Sequence, residues 1–98
     1  MIRVVYRWRV QEADQTVFRA AWGKATTTIR ETTDGARGSV LFESCDNPNE
    51  FMTIAHWNNL DQWKSFVGAA PLVHMKEMHS LAELVSSEAF RQVGDHTI

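Results

Sequence analysis

Ninety-eight residues, 22% of them charged and summing to a formal net charge of −2, are enough for one hydrophobic core and too few for two. Arg3, Arg7, Arg9, Arg30 and Arg37 are scattered and make no basic stripe, which excludes a phosphate-neutralising surface for nucleic acid. No apolar run approaches the roughly 20 residues of a membrane helix, no signal-peptide order opens the chain, and Cys45 has no partner for an intramolecular disulfide, so the cytoplasm is the expected compartment.

Residues Ile2 to Val10 alternate, with Ile2, Val4, Tyr6, Trp8 and Val10 on one face and Arg3, Val5, Arg7 and Arg9 on the other, the pattern of a half-buried strand. From Asp14, a residue type suited to an N-cap, Val17, Phe18, Ala21, Trp22, Ala25 and Ile29 recur at helical spacing until Asp34-Gly35 stops the pattern. Gly38 to Ser44 and Phe51 to Trp57 read as two strands joined by the turn residues Asp46-Asn47-Pro48-Asn49, hence an antiparallel hairpin.

A short helix is expected after Asn59, with Gln62 able to reach back to the cap and Leu60, Trp63, Phe66 and Val67 at helical spacing. Pro71 suits the first turn of another helix. On it Leu72, Met75, His79 and Ala82 share one side, and His74, Met78, Leu81 and Val85 the adjacent one. Glu88 to Val93 is expected to be a closing strand. This order predicts a single α+β domain over residues 1–98, a ferredoxin-like split βαβ fold with a four-stranded antiparallel sheet and helices on one face. The far face, with Val5 and Val40 or Leu41, then carries apolar residues. Pairing with an identical sheet would bury them, so a homodimer is expected.

Tyr6 to Val10, Phe18 to Trp22, Gly38 to Phe42, Met52 to Trp57, and Asn59 with Trp63 together resemble the antibiotic biosynthesis monooxygenase domain, from about Val4 to Phe66. The resemblance implies a dimeric α+β barrel and oxygen chemistry on a small aromatic substrate, often without metal or flavin. In the haem-degrading branch of the family an asparagine on the first strand, a tryptophan on the helix after the third strand and a histidine ten residues later make the pocket. Tyr6, Phe66 and Lys76 stand at those positions, which argues against haem degradation; His74 or His79 would reach iron only on an offset helix. In the branch that oxidises polycyclic phenols and anthrones, asparagine and tryptophan one helical turn apart line the cavity, as Asn59 and Trp63 are spaced.

Molecular oxygen reacts slowly with closed-shell molecules, so without metal or flavin the substrate itself must supply an electron, most readily as an enolate or phenolate. Such a site needs a base and donors to the developing oxyanion. His74 and His79 are candidate bases, Asn59 and Trp63 candidate donors, and Tyr6, Trp8 and Phe66 candidate substrate contacts. Each has a plainer structural reading: His79 as a packing residue, Asn59 as a helix cap, the tryptophans as core. His56, at a strand end, reads as solvent-facing. Arg7 and Arg9 are expected to pair with Glu43 or Glu50. His74 and His79 are five residues apart, poor spacing for one metal, and no phosphate-cradling glycine loop is present, so neither a metal site nor a cofactor is expected. Two functions stay open. One is a cofactor-independent monooxygenase acting on an anthrone, phenol or quinol-like substrate; the other is a non-catalytic dimer that binds a small hydrophobic ligand. The enzyme requires a dry pocket of roughly 300 Å³ or more with a polar group at its base.

Overall fold

The computed structural model describes residues 1–69 and 72–98, and the side chains of residues 72–74 lie outside that description. The elements run β1 (Ile2–Val10), a 3₁₀ turn (Glu12–Asp14), α1 (Gln15–Thr32), β2 (Ala36–Glu43), β3 (Glu50–Trp57), α2 (Leu60–Gly68), α3 (Leu72–Leu81) and β4 (Ala82–Arg91). The strands form one antiparallel sheet in the order β2-β3-β1-β4, the split βαβ topology of ferredoxin-like folds.

Alternation decides the two central strands. On β1, Ile2, Val4, Trp8 and Val10 are buried; on β3, so are Phe51, Thr53 and Trp57. α1 lays Phe18, Ala21 and Ala25 onto this face, at the spacing that keeps side chains on one side of a helix. The helices thus cover one face, while Arg3, Val5, Arg7 and Arg9 of β1 line the other with Val40, Phe42 and Ile54. Leu41 packs inward against the core. The outer-face arginines are paired in part: Arg7 approaches Glu50 at 3.8 Å, but Arg9 binds Glu83 at 2.7 Å and Glu43 is taken by Arg19 at 3.0 Å.

Three local expectations fail for identifiable reasons. Asp14 makes no side-chain cap, because the 3₁₀ turn already holds its backbone in the helical region (φ −100°), where a cap needs an extended one. Gln62 does not reach back to Asn59. Its side chain lies against Gly35 (φ +85°), where an added Cβ would overlap it, and its Oε1 is buried without a partner. The last helix ends at Leu81 and β4 begins at the next residue, so Ala82 and Val85 belong to the strand and Pro71 lies outside the described residues. β4 pairs Trp8 with Leu84 and Arg7 with Ser86, which leaves Val85 as a bulge. The extra residue switches parity: Ala82 and Leu84 share the inner side with Ser87 and Ala89, and no uniform alternation runs through the strand.

Candidate active site

The core has two parts. Trp8, Val10, Phe18, Phe51 and Met78 anchor one; Ile2, Val4, Trp57 and Phe66 anchor the other. Tyr6 and Met75 pack against both. Along this seam, between the helix layer and the sheet, lies a cavity of about 50 Å³ lined by Tyr6, Trp22, Ile29, Thr53, Phe66 and Met75, among others. That volume is well below the roughly 300 Å³ of an ordinary small-molecule pocket. A wider and more open hollow of about 390 Å³ adjoins it and shares Trp22, Thr26, Gly38, Ser39 and His56 as walls.

The polar groups of the cavity share one arrangement. The Trp63 indole N–H donates to the Tyr6 hydroxyl at 3.0 Å, the Trp22 N–H to Ser39 Oγ at 2.8 Å, and the Trp8 N–H to Thr53 Oγ1 at 3.1 Å. An indole N–H can only donate, so each hydroxyl oxygen receives a hydrogen and retains its own proton for another acceptor. Ser39 shares a further bond of 3.1 Å with Thr26 Oγ1. For Tyr6 no acceptor for that proton exists among the described residues. Burial pushes the Tyr6 phenol above its usual pKa, opposed in part by the Trp63 bond, so it is a protonated donor at neutral pH.

Of the residues singled out from the sequence, Tyr6 and Phe66 line the cavity, and Trp63 stands behind Tyr6 through its hydrogen bond. Trp8 is wholly buried in the adjoining cluster, between Phe18 and the edge-on ring of His79, with centroids 5.5 and 5.3 Å away. His79 is thereby a neighbour of Trp8 and not of the cavity; burial lowers its pKa and keeps it neutral. Asn59 is exposed at the α2 N-terminus, where its Oδ1 accepts the Gln62 backbone N–H at 2.9 Å. The His74 side chain lies outside the described residues.

His56 is among the walls of both the cavity and the open hollow, and its pairing with Arg3 puts its side chain on the outer sheet face, away from the helix layer. Burial, then the charge of Arg3, lowers its pKa, so its imidazole is neutral at pH 7. Ser39 and Thr53 were not singled out. Their signal was parity: each is a small hydroxyl residue at an inward position, opposite Ala55 and between Phe51 and Trp57 respectively. Among the described residues no group of three or more His, Cys, Asp or Glu side chains is placed to hold a metal ion, and no helix is long and apolar enough to cross a membrane.

The fold recurs in solved structures. SnoaB, a cofactor-independent oxygenase from Streptomyces nogalater, superposes with a TM-score of 0.78 at 18% identity, covering 97% of this chain and 95% of that one. A conserved protein of unknown function from Bacteroides thetaiotaomicron gives a TM-score of 0.73 at 23% identity, over 91% and 94% of the two chains. Rv0793 from Mycobacterium tuberculosis gives 0.71 at 18% identity, over 98% of each. No curated protein matches the sequence. The family profile described as antibiotic biosynthesis monooxygenase matches residues 1–81, most of the chain. The protein belongs to the antibiotic biosynthesis monooxygenase family.

Proposed function

We propose that the chain is a cofactor-independent monooxygenase that oxidises a small anthrone, phenol or quinol-like substrate with molecular oxygen. The observation that carries the reading is the Tyr6 hydroxyl, which lines the cavity, is held by Trp63 and has no acceptor for its own proton among the described residues. In this reading a substrate C–H or O–H, acidified by its conjugated ring, releases its proton to solvent at the open hollow. The Tyr6 O–H donates to the enolate or phenolate oxygen that results. The carbanion character of the ring then reduces oxygen. For an anthrone, the methylene becomes a carbonyl with one oxygen atom, and the other leaves as water with the two hydrogens. The family membership and the SnoaB-like fold support this assignment.

Oxygen uptake tests it. A panel of anthrones and hydroquinones, incubated with and without air, is expected to give one quinone per oxygen consumed with at least one member. No enzyme-dependent uptake with any member would leave a non-catalytic ligand-binding dimer as the function.

The working unit we propose is a homodimer joined through the outer sheet face. Val40 and Phe42 are each 43% exposed there and Phe90 is 50% exposed. The same face carries Arg7 and Arg9 beside Glu50 and Glu83, so a second copy related by a two-fold axis offers charges of both signs. A stable interface takes roughly 800 Å² from each partner. Light scattering at micromolar concentration is expected to read twice the 11.2 kDa chain mass, and Phe42→Glu to shift it toward one. A monomer in the unmodified protein would remove this part of the proposal.

A further inference from the structure

β2 is an edge strand, and its pairing with β3 is interrupted where the cavity lies closest to the outside. Ala36 faces Trp57 and Ser39 faces Ala55, so both Arg37 and Gly38 stand opposite His56. Gly38 has φ +92°, which is open to glycine and unfavourable for other residues. A bulge of this kind bends the strand and re-aims its side chains. Outside it is the open hollow, bordered by Arg30 of α1 and Arg37 of the bulge. Arg30 passes over Gly38, with its Cδ 3.8 Å from the place a Cβ would take.

These two cations differ from the others near the sheet. The ion pairs among the described residues engage Arg7, Arg9 and Arg19, and none engages Arg30 or Arg37. Two exposed guanidinium groups beside one hollow, in a chain of net charge −2, make a local positive site. The seam cavity, at about 50 Å³, is also smaller than the roughly 150 Å³ of a protein cavity that holds benzene. An aromatic ring is admitted only when the wall shared with the hollow opens. That wall contains Trp22 and its bond to Ser39.

We propose that the substrate is an aromatic carboxylate, admitted at the β2 bulge, with its ring in the seam cavity and its carboxylate held by Arg30 and Arg37. A planar guanidinium matches a carboxylate with two parallel hydrogen bonds, and two of them at the rim favour an anionic substituent over a neutral one of the same shape. This names the substrate class of the oxygenase reading and rests on that reading for its chemistry. Recognition of the anion needs no turnover, so it is tested separately.

The test is equilibrium dialysis of the full chain under nitrogen, at low salt, against 6-hydroxy-2-naphthoate and its uncharged amide, 6-hydroxy-2-naphthamide. The acid is expected to bind about tenfold tighter, the size of effect given by one good charge-assisted contact. The double variant Arg30→Gln/Arg37→Gln should bring the acid within about twofold of the amide and leave the amide unchanged, since both side chains are exposed and hold no structural ion pair. Equal affinity for the two probes, binding of neither, or a preference for the acid that survives the double variant would each overturn the proposal. If the preference holds while no substrate supports oxygen uptake, the anion site stands and the oxygenase reading falls.

Discussion

Trp8→Ala is expected to lower the melting temperature by about 15–30 °C, the largest effect of any single substitution proposed for this chain. The indole is 0% exposed and packs against Tyr6, Phe18 and His79. Emptying a site of this kind typically costs about 3–5 kcal/mol, because surrounding side chains relax only partly into the void. A second loss is added. Thr53 is 3% exposed, and its hydroxyl would lose the Trp8 N–H, which leaves a buried polar group short of a partner at about 1–3 kcal/mol. Against the roughly 5–15 kcal/mol that holds a small domain together, the variant would be largely unfolded near body temperature. Thermal melts followed by circular dichroism measure this. Trp8→Phe combined with Thr53→Val restores an apolar fill with no orphaned hydroxyl and should recover most of the loss. A shift of only a few degrees in Trp8→Ala would mean that Trp8 lines accessible space and contacts ligand directly.

Tyr6→Phe should lower turnover by about a hundred- to a thousandfold while leaving the protein folded, the cost of one oxyanion donor at about 2.7–4 kcal/mol. The ring and its packing against both core clusters remain, and only the oxygen is lost. Stability falls by a smaller amount, since the Trp63 N–H is half-buried and loses its acceptor. Trp63→Phe is the matching control. It removes the N–H that orients the phenol but leaves the donor in place, so it should cost less in kcat than Tyr6→Phe at similar melting temperature. With both variants assayed at saturating substrate, equal turnover in Tyr6→Phe and the unmodified enzyme would reduce the hydroxyl to a structural hydrogen bond of the core.

Where one physical signal dominated, the fold was legible. β1 has the span that its alternation predicts, Ile2–Val10, because inward apolar and outward charged residues interleave without interruption. α1 follows from Phe18, Ala21 and Ala25, and α2 from the Asn59 cap. β4 was misread at its start. The bulge at Val85 breaks the period of two, and helical spacing in residues 72–85 masks the point where helix passes directly to strand. Residues of the cavity wall were legible when large. Tyr6 and Phe66 declared themselves by size on inward positions, whereas Ser39 and Thr53 are small hydroxyls whose importance lies in the indoles that donate to them. The β2 bulge opposite His56 was not legible, since it is a pairing between strands that no window of local sequence contains.

The division of the core into two clusters bears on how such a domain diversifies. Among the described residues only Tyr6 and Met75 pack against both, and the cavity runs along that boundary. Substitution at Ser39, which belongs to neither cluster, alters the shape of the gap without disturbing Trp8, Phe18 and Phe51 on one side or Val4 and Trp57 on the other, whereas Ile29 packs against one cluster and Met75 against both. Contacts that are far apart and share no partners contribute nearly independently to folding free energy. The frame therefore tolerates drift in what it accommodates at little penalty to its own integrity, and new ligand preferences are reachable through single changes along the seam.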